Sequence, residues 1–309
     1  MKKGKYLITG CAGFIGSNLV KSLYKNNELI LIDDLSEGKI KNLPHKLRKK
    51  IIKKKIQNIK KLNVKKLDGI FHLAAQASVP LSLLDFYNST SNNLTSSIKI
   101  FELSKKYSAP VVYASSSAVY GNLFLGNDQV KKFSILSPYA QDKLTIENYA
   151  KLFFEIYNIS SAGLRLFNVY GPGQTASSPY SAVIPIFINR MLKKLPITIN
   201  GGFQTRDFIY VKDVTDIMKK LMNKIQKKKI SDNFNLGTGS SIKIDRLFYL
   251  IKKFTESNPK LIRKKLENYD PKKSSSTINK LKRFLKLKKN HFTKIEEGLN
   301  KTIDHFKGV

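Results

Sequence analysis

Three glycines, Gly10, Gly13 and Gly16, separate a short apolar run from an amphipathic one, and this setting restricts the fold more than any other stretch. The run Lys5-Tyr6-Leu7-Ile8-Thr9 has strand character, and Ser17 to Leu23 has helical spacing. A second β-rich run, Leu29-Ile30-Leu31-Ile32, ends on Asp33-Asp34. Strand, glycine turn, helix, strand and carboxylate in that order form the opening unit of a dinucleotide-binding parallel sheet. Gly10 makes the tight turn, Gly13 lets backbone approach a pyrophosphate, and Gly16 lets the helix pack closely. The helix N-terminus adds N–H groups and a positive dipole end, with Phe14 and Ile15 belonging to the same loop. Asp33 lies 17 residues beyond Gly16, where a carboxylate accepts hydrogen bonds from both adenosine ribose hydroxyls. It repels a 2′-phosphate, so the expected cofactor is NAD rather than NADP.

The chain has 309 residues and a formal charge of +34, which first suggests a polyanionic partner. The distribution argues otherwise. Residues 39–66 carry 13 Lys/Arg and no acid, 219–229 add six, and 252–294 hold 15 basic against three acidic residues. Residues 67–218 are close to balance, with 13 basic and 10 acidic. The clusters sit beside Ile and Leu without interleaved aromatics, as on solvated helix faces, so no nucleic acid partner is expected. No apolar run reaches the ~18 residues of a membrane span. The opening is too short in apolar residues for a signal peptide, so the expectation is a cytoplasmic protein. One cysteine, Cys11, leaves no disulfide and no metal cluster.

The glycine spacing, read as Thr-Gly-x-x-Gly-Phe-Ile-Gly, resembles the extended short-chain dehydrogenase/reductase family, in its nucleotide-sugar epimerase/dehydratase branch. Further segments carry the same resemblance. His72-Leu73-Ala74-Ala75-Gln76-Ala77-Ser78 is similar to the family's His-x-Ala-Ala segment beside the cofactor. The resemblance implies cofactor contacts at Ala74, Ala75 and Asn93, and a substrate contact at Ser78. His72 is expected to be a packed strand-end histidine. Tyr139 and Lys143 are i and i+4, so they share one helix face. An ammonium near a phenol favours the phenolate, so the pair is expected to be a base with a lowered phenol pKa. Counting four back from Tyr120, as in the family, selects Ser116 as the hydroxyl that meets the substrate oxygen. Asp142, beside Lys143, is unusual and is expected to point away. The family's dehydratases carry an Asp-Glu pair after this serine and its decarboxylases a Glu; here Ser117 and Ala118 stand there.

In the second half, Arg165-Leu166-Phe167-Asn168-Val169-Tyr170-Gly171-Pro172 and Gln204-Thr205-Arg206-Asp207-Phe208 resemble the sugar-nucleotide half of the family. The resemblance places Asn168 on the substrate and Arg206 on its diphosphate, a role that suits a planar donor fork. Two departures stand out. Glu267 occupies the usual place of a second diphosphate arginine, and Lys55 replaces an adenine-binding Asp, leaving Ile56 to pack on the ring.

The expected fold is α/β, a doubly wound parallel sheet (Rossmann) over residues 1–165 with a smaller C-terminal substrate-binding domain over 166–309, segments of which return to the first. The resemblance implies a homodimer formed by helices near 94–107 and 139–157, the latter apolar at Ile146, Tyr149, Ala150, Phe153 and Phe154. The implied activity is inversion of C4 in a UDP-hexose through a transient 4-keto sugar. The cofactor set is Gly10, Gly13, Phe14, Ile15, Gly16, Asp33, Ile56, Ala74, Ala75, Asn93, Tyr139 and Lys143. The catalytic set is Ser116, Tyr139 and Lys143, and the substrate set is Ser78, Ser116, Asn168 and Arg206. A dehydratase or ketoreductase of the same family and a non-catalytic NAD-binding regulator remain as alternatives.

Overall fold

The computed structural model describes residues 3–176, 182–266, 270–288 and 290–308. Its chain divides into two compact units: residues 1–119, 137–165 and 214–234 form one, and 120–136, 166–213 and 235–309 the other.

In the first unit the apolar runs become strands β1 (Lys5–Thr9), β2 (Glu28–Ile32), β3 (Ile51–Ile52), β4 (Gly69–His72), β5 (Val111–Ser116) and β6 (Ser161–Leu166). With β10 (Ser231–Leu236) they make a seven-stranded sheet in the order β10-β6-β5-β4-β1-β2-β3. Pairing is parallel from β5 through to β3. The order reverses between β1 and β4, and such a switch point is where a doubly wound sheet opens a crevice at its strand C-termini. The turns that end in Gly10 and Ala74 leave the sheet at that point.

Helices α1 (Phe14–Leu23), α2 (Val79–Leu84), α3 (Phe86–Tyr107) and α4 (Pro138–Tyr157) belong to this unit. Three of these starts are capped by side chains predictable from composition: Ser78, Asp85 and Ser137 each accept a first-turn N–H. Helix α4 packs along α3, and Ile146 and Ala150 are buried with Phe101 and Tyr113, with Tyr149 and Phe153 packed against the same cluster. Leu152, Ile156 and Tyr157 of the same helix stay exposed. Ile56 joins that core at 4% exposure, with Leu7, Ile32 and Ile59. This placement departs from its expected role on an adenine ring, because the turn carrying it packs inward while Lys55 stays exposed.

The second unit is built on β7 (Asn168–Tyr170), α5 (Val183–Leu192), β8 (Ile197–Asn200) and β9 (Thr205–Tyr210). Helix α6 (Val211–Ile225), from Val214 on, belongs to the first unit, and the second resumes with β11 (Ser241–Lys243), α7 (Ile244–Thr255), β12 (Leu261–Lys264), α8 (Asn279–Leu285) and α9 (Ile295–Lys307). Strands β11, β9 and β7 form a small sheet, and β12 pairs with β8. Phe187, Ile188, Met191, Phe248, Ile251 and Leu299 centre its core.

Glu147 on α4 and Arg165 on β6 form a bidentate pair at 2.9 and 2.6 Å, with side chains 3% and 6% exposed. Ser115 donates to the same carboxylate at 2.6 Å. Breaking a buried pair by removing one partner leaves the other charge stranded. Arg165→Met is therefore expected to lower unfolding stability by about 3–5 kcal/mol in denaturant titration; a loss below about 1 kcal/mol would contradict the burial described.

Candidate active site

The glycine loop is held by contacts that leave no room for side chains. Gly10 has φ +66°, and a Cβ there would meet the Ala74 nitrogen at 2.7 Å. A Cβ on Gly16 would run into the Gly10 carbonyl. Gly13 differs: its Cβ would approach only the Gly10 carbonyl, at 3.3 Å, and its backbone is extended. The chain's own packing thus demands glycine at 10 and 16 and leaves the face of residue 13 clear. Phe14 and Ile15 open α1, whose first-turn N–H groups have no helical partners.

Asp33 closes the loop from β2. One carboxylate oxygen accepts from the Ala12 N–H at 2.8 Å and the other from Leu35 N–H at 2.9 Å. Burial raises its pKa, and those N–H bonds oppose the rise. Clear backbone at Gly13, a helix N-terminus and an anchored carboxylate fit the pyrophosphate and ribose of a dinucleotide.

Behind Ala74 and Ala75, His72 is fully packed. Its Nδ1 lies 2.8 Å from Thr9 Oγ1 and its Nε2 3.0 Å from Ser97 Oγ. The Ser97 hydroxyl donates to the Asn93 carbonyl, so Nε2 carries the proton and Nδ1 accepts from Thr9. Burial and the nearby Lys143 charge hold His72 neutral, its pKa down at about 3. Asn93, 1% exposed, accepts from the Gln76 N–H at 2.8 Å and donates to the Gln76 carbonyl at 3.2 Å. It thereby fixes the segment that follows Ala75. Ser78 serves here as the N-cap of α2.

Tyr139 and Lys143 emerge from one face of α4, and both are buried. Lys143 Nζ donates to the Ala114 carbonyl at 2.9 Å and lies 5.6 Å from the Tyr139 ring centre. Of the three consecutive serines, Ser115 is committed to Glu147, whereas Ser116 acts on the Tyr139 phenol and favours its ionised form. The expected lowering of the phenol pKa is reversed in this structure. Burial raises Tyr139, with the Ser116 bond pulling down and the Asp142 charge pushing up. Desolvation likewise lowers Lys143, to about 8, against the opposing pull of Asp142 and Glu147. Asp142 itself overturns another expectation. It is 2% exposed and accepts from Asn93 Nδ2 at 3.1 Å, so it points into the protein.

In the second unit, Asn168 and Arg206 line a cavity of about 660 Å³ with Arg190, Gln204, Phe187, Ile199 and Asp270. Arg206 forms an ion pair with Asp270 and donates to the Thr205 carbonyl. The adjacent Asp207 does not hold it. Asp207 instead accepts from Thr238 N–H and Oγ1, Gly239 N–H and Ser276 Oγ, which explains the Asn235-to-Gly239 turn as its cradle. Asn168 donates to the Asp207 carbonyl at 3.0 Å. Glu267 lies outside the described residues.

The family model described as the NAD dependent epimerase/dehydratase family matches residues 6–237. A protein called a putative UDP-glucose 4-epimerase, from Methanocaldococcus jannaschii, is 38% identical over 80% of this chain and 81% of its own length. The structure of a UDP-N-acetylglucosamine 4-epimerase from Methanobrevibacter ruminantium, in complex with UDP-N-acetylmuramic acid, superposes with a TM-score of 0.92 at 36% identity. That match covers 100% of this chain and 99% of the other. A UDP-glucuronic acid decarboxylase 1 from Xenopus tropicalis is 27% identical over 98% of this chain and 72% of its own. With three quarters of its length matched by the family model, the chain belongs to the NAD-dependent epimerase/dehydratase family.

Proposed function

We propose that the chain is a nucleotide-sugar 4-epimerase acting on a UDP-hexose. The observation that carries this reading is the assembled trio of Ser116, Tyr139 and Lys143 followed by a turn that bears no carboxylate. Residues 117–120 form a short 3-10 turn in which Ala118 donates its N–H to Ser116 Oγ at 3.1 Å. Elimination and decarboxylation in the family, by the resemblance above, place an acid on this turn. Inversion at C4 needs only a proton acceptor, an oxygen-binding hydroxyl and a hydride carrier.

NAD held at this site would supply the hydride-transfer chemistry that inversion at C4 requires. Gly10, Gly13, Phe14, Ile15 and Gly16 would hold its pyrophosphate, Asp33 its adenosine ribose, and Ala74, Ala75 and Asn93 the neighbouring wall. Tyr139 acts in its phenolate form, taking the proton from the C4 hydroxyl, and as the resulting phenol returns it to the opposite epimer. The Ser116 hydroxyl binds the same oxygen and the phenol together, keeping the proton path short. Lys143 contributes positive charge beside a phenol whose ionisation burial opposes. It is ammonium below about 8 and loses that charge as pH rises through this value. Arg206 and Asn168 take the diphosphate and sugar, with Asp270 orienting the guanidinium through their ion pair.

The relatives named for UDP-glucose and UDP-N-acetylglucosamine 4-epimerisation favour this reading over the decarboxylase alternative. Incubation with a panel of nucleotide sugars, without added NAD, should show interconversion of C4 epimers by NMR. Tyr139→Phe should lose about 100-fold or more of that turnover. A 4-keto or decarboxylated product from the parent protein would sink the proposal.

The two small-residue constraints separate in a second experiment. Gly16→Ala should lose about 1–3 kcal/mol of stability, since its methyl meets backbone. Gly13→Ala should melt within a few degrees of the parent yet bind NAD at least about tenfold more weakly by calorimetry. Equal affinity in Gly13→Ala and the parent would remove Gly13 from the cofactor contacts.

A further inference from the structure

Asp142 is a buried carboxylate in the middle of the proposed catalytic helix, and the proton transfers above make no use of it. Several groups surround it. On α4 these are Tyr139 three residues before, Lys143 one after, and Glu147 a turn beyond. From α3, Asn93 donates to it at 3.1 Å and the Thr90 hydroxyl stands beside it. Strand β4 brings His72, which is neutral. Around its helix neighbours, β5 brings Ser116 to Tyr139 and Ser115 to Glu147, β6 brings Arg165 to Glu147, and α2 brings Ser82, which accepts the Tyr139 N–H. Lys143 is therefore the one cation among these groups that is not engaged in an ion pair of its own. Asn93 links outward: the side chain that meets Asp142 also clamps both backbone groups of Gln76.

We propose that Asp142 is a positioning residue that ties the catalytic helix to the segment after β4 through Asn93 and supplies the negative charge shared by Tyr139 and Lys143. The inference rests on the reading of Tyr139 and Lys143 as the proton-handling pair. A carboxylate here has a definite sign of action. It stabilises the protonated ammonium of Lys143 and disfavours the phenolate of Tyr139, so it raises both pKa values. Desolvation opposes it at Lys143 and reinforces it at Tyr139. Without Asp142, Lys143 would lose its proton at a lower pH, and Tyr139 would do the same.

Asp142→Asn removes the charge and keeps an acceptor for Asn93. Its pH profile of turnover is expected to translate as a whole toward lower pH, each limb moving by about one unit. A loss of packing or alignment scales the height of such a profile without moving its limbs. In protein carrying isotope-labelled tyrosine, the Tyr139 resonance, assigned by its disappearance in Tyr139→Phe, should titrate at correspondingly lower pH in Asp142→Asn. Asp142→Ser removes the same charge with a smaller side chain and must give the same translation. Limbs and resonance that stay where the parent has them, in variants with a normal melting transition, overturn the inference. Full turnover in Tyr139→Phe instead overturns the reading of the pair, and the resonance titration still decides whether Asp142 sets the phenol.

Discussion

Backbone meets backbone where β1 and β4 end, and the first unit is organised around that contact. Gly10 can sit against Leu73 and Ala74 only because it has no side chain, and Gly16 can bring α1 onto Gly10 for the same reason. The Thr9 hydroxyl lies 3.3 Å from the Leu73 N–H and donates to His72, binding the two strand ends further. This closeness brings a helix N-terminus to the switch point of the sheet, with Gly13 clear on the outer side. A binding site for an anionic dinucleotide follows from the steric limit.

The electrostatics of α4 form a second layer. Tyr139, Asp142, Lys143 and Glu147 occupy consecutive turns of one helix, all buried. Each charge has a defined answer: Arg165 for Glu147, Asn93 for Asp142, the Ala114 carbonyl and nearby carboxylates for Lys143. Desolvation dominates both reactive groups, raising the phenol and lowering the amine. The charged partners act against that background in a medium of low dielectric, and Asp142 raises the pKa of both groups.

Much of this was legible in the sequence because the signals are local. The strand–glycine–helix–strand unit spans under thirty residues, and β1 emerges at Lys5–Thr9 as its apolar run indicates. Tyr139 and Lys143 share a face because i and i+4 always do. Ser116 follows from counting back from Tyr120, a spacing short enough to read along the chain. The misses depend on remote partners. Asp142 looks like a surface residue until Asn93, 49 positions earlier, is brought to it. Arg206 reads as a diphosphate contact, and its ion pair with Asp270, 64 positions on, has no local signal. Ile56 packs with Leu7, Ile32 and Ile59, partners remote in the sequence. The direction of the phenol shift depended on burial, which spacing along a helix does not report.

The net charge of +34 sits largely on exposed lysines of the 39–66 segment and its counterparts. It leaves the site's chemistry to a few buried groups, and the central claim about those groups is hydride removal and return at one carbon. The most direct measurement follows a substrate deuterated at C4 of the sugar through turnover in ordinary water, with the complementary reaction run in heavy water. The account predicts that both epimers keep deuterium at C4 and take up none from solvent. Solvent deuterium at a neighbouring carbon, or washout of the C4 label, would contradict it.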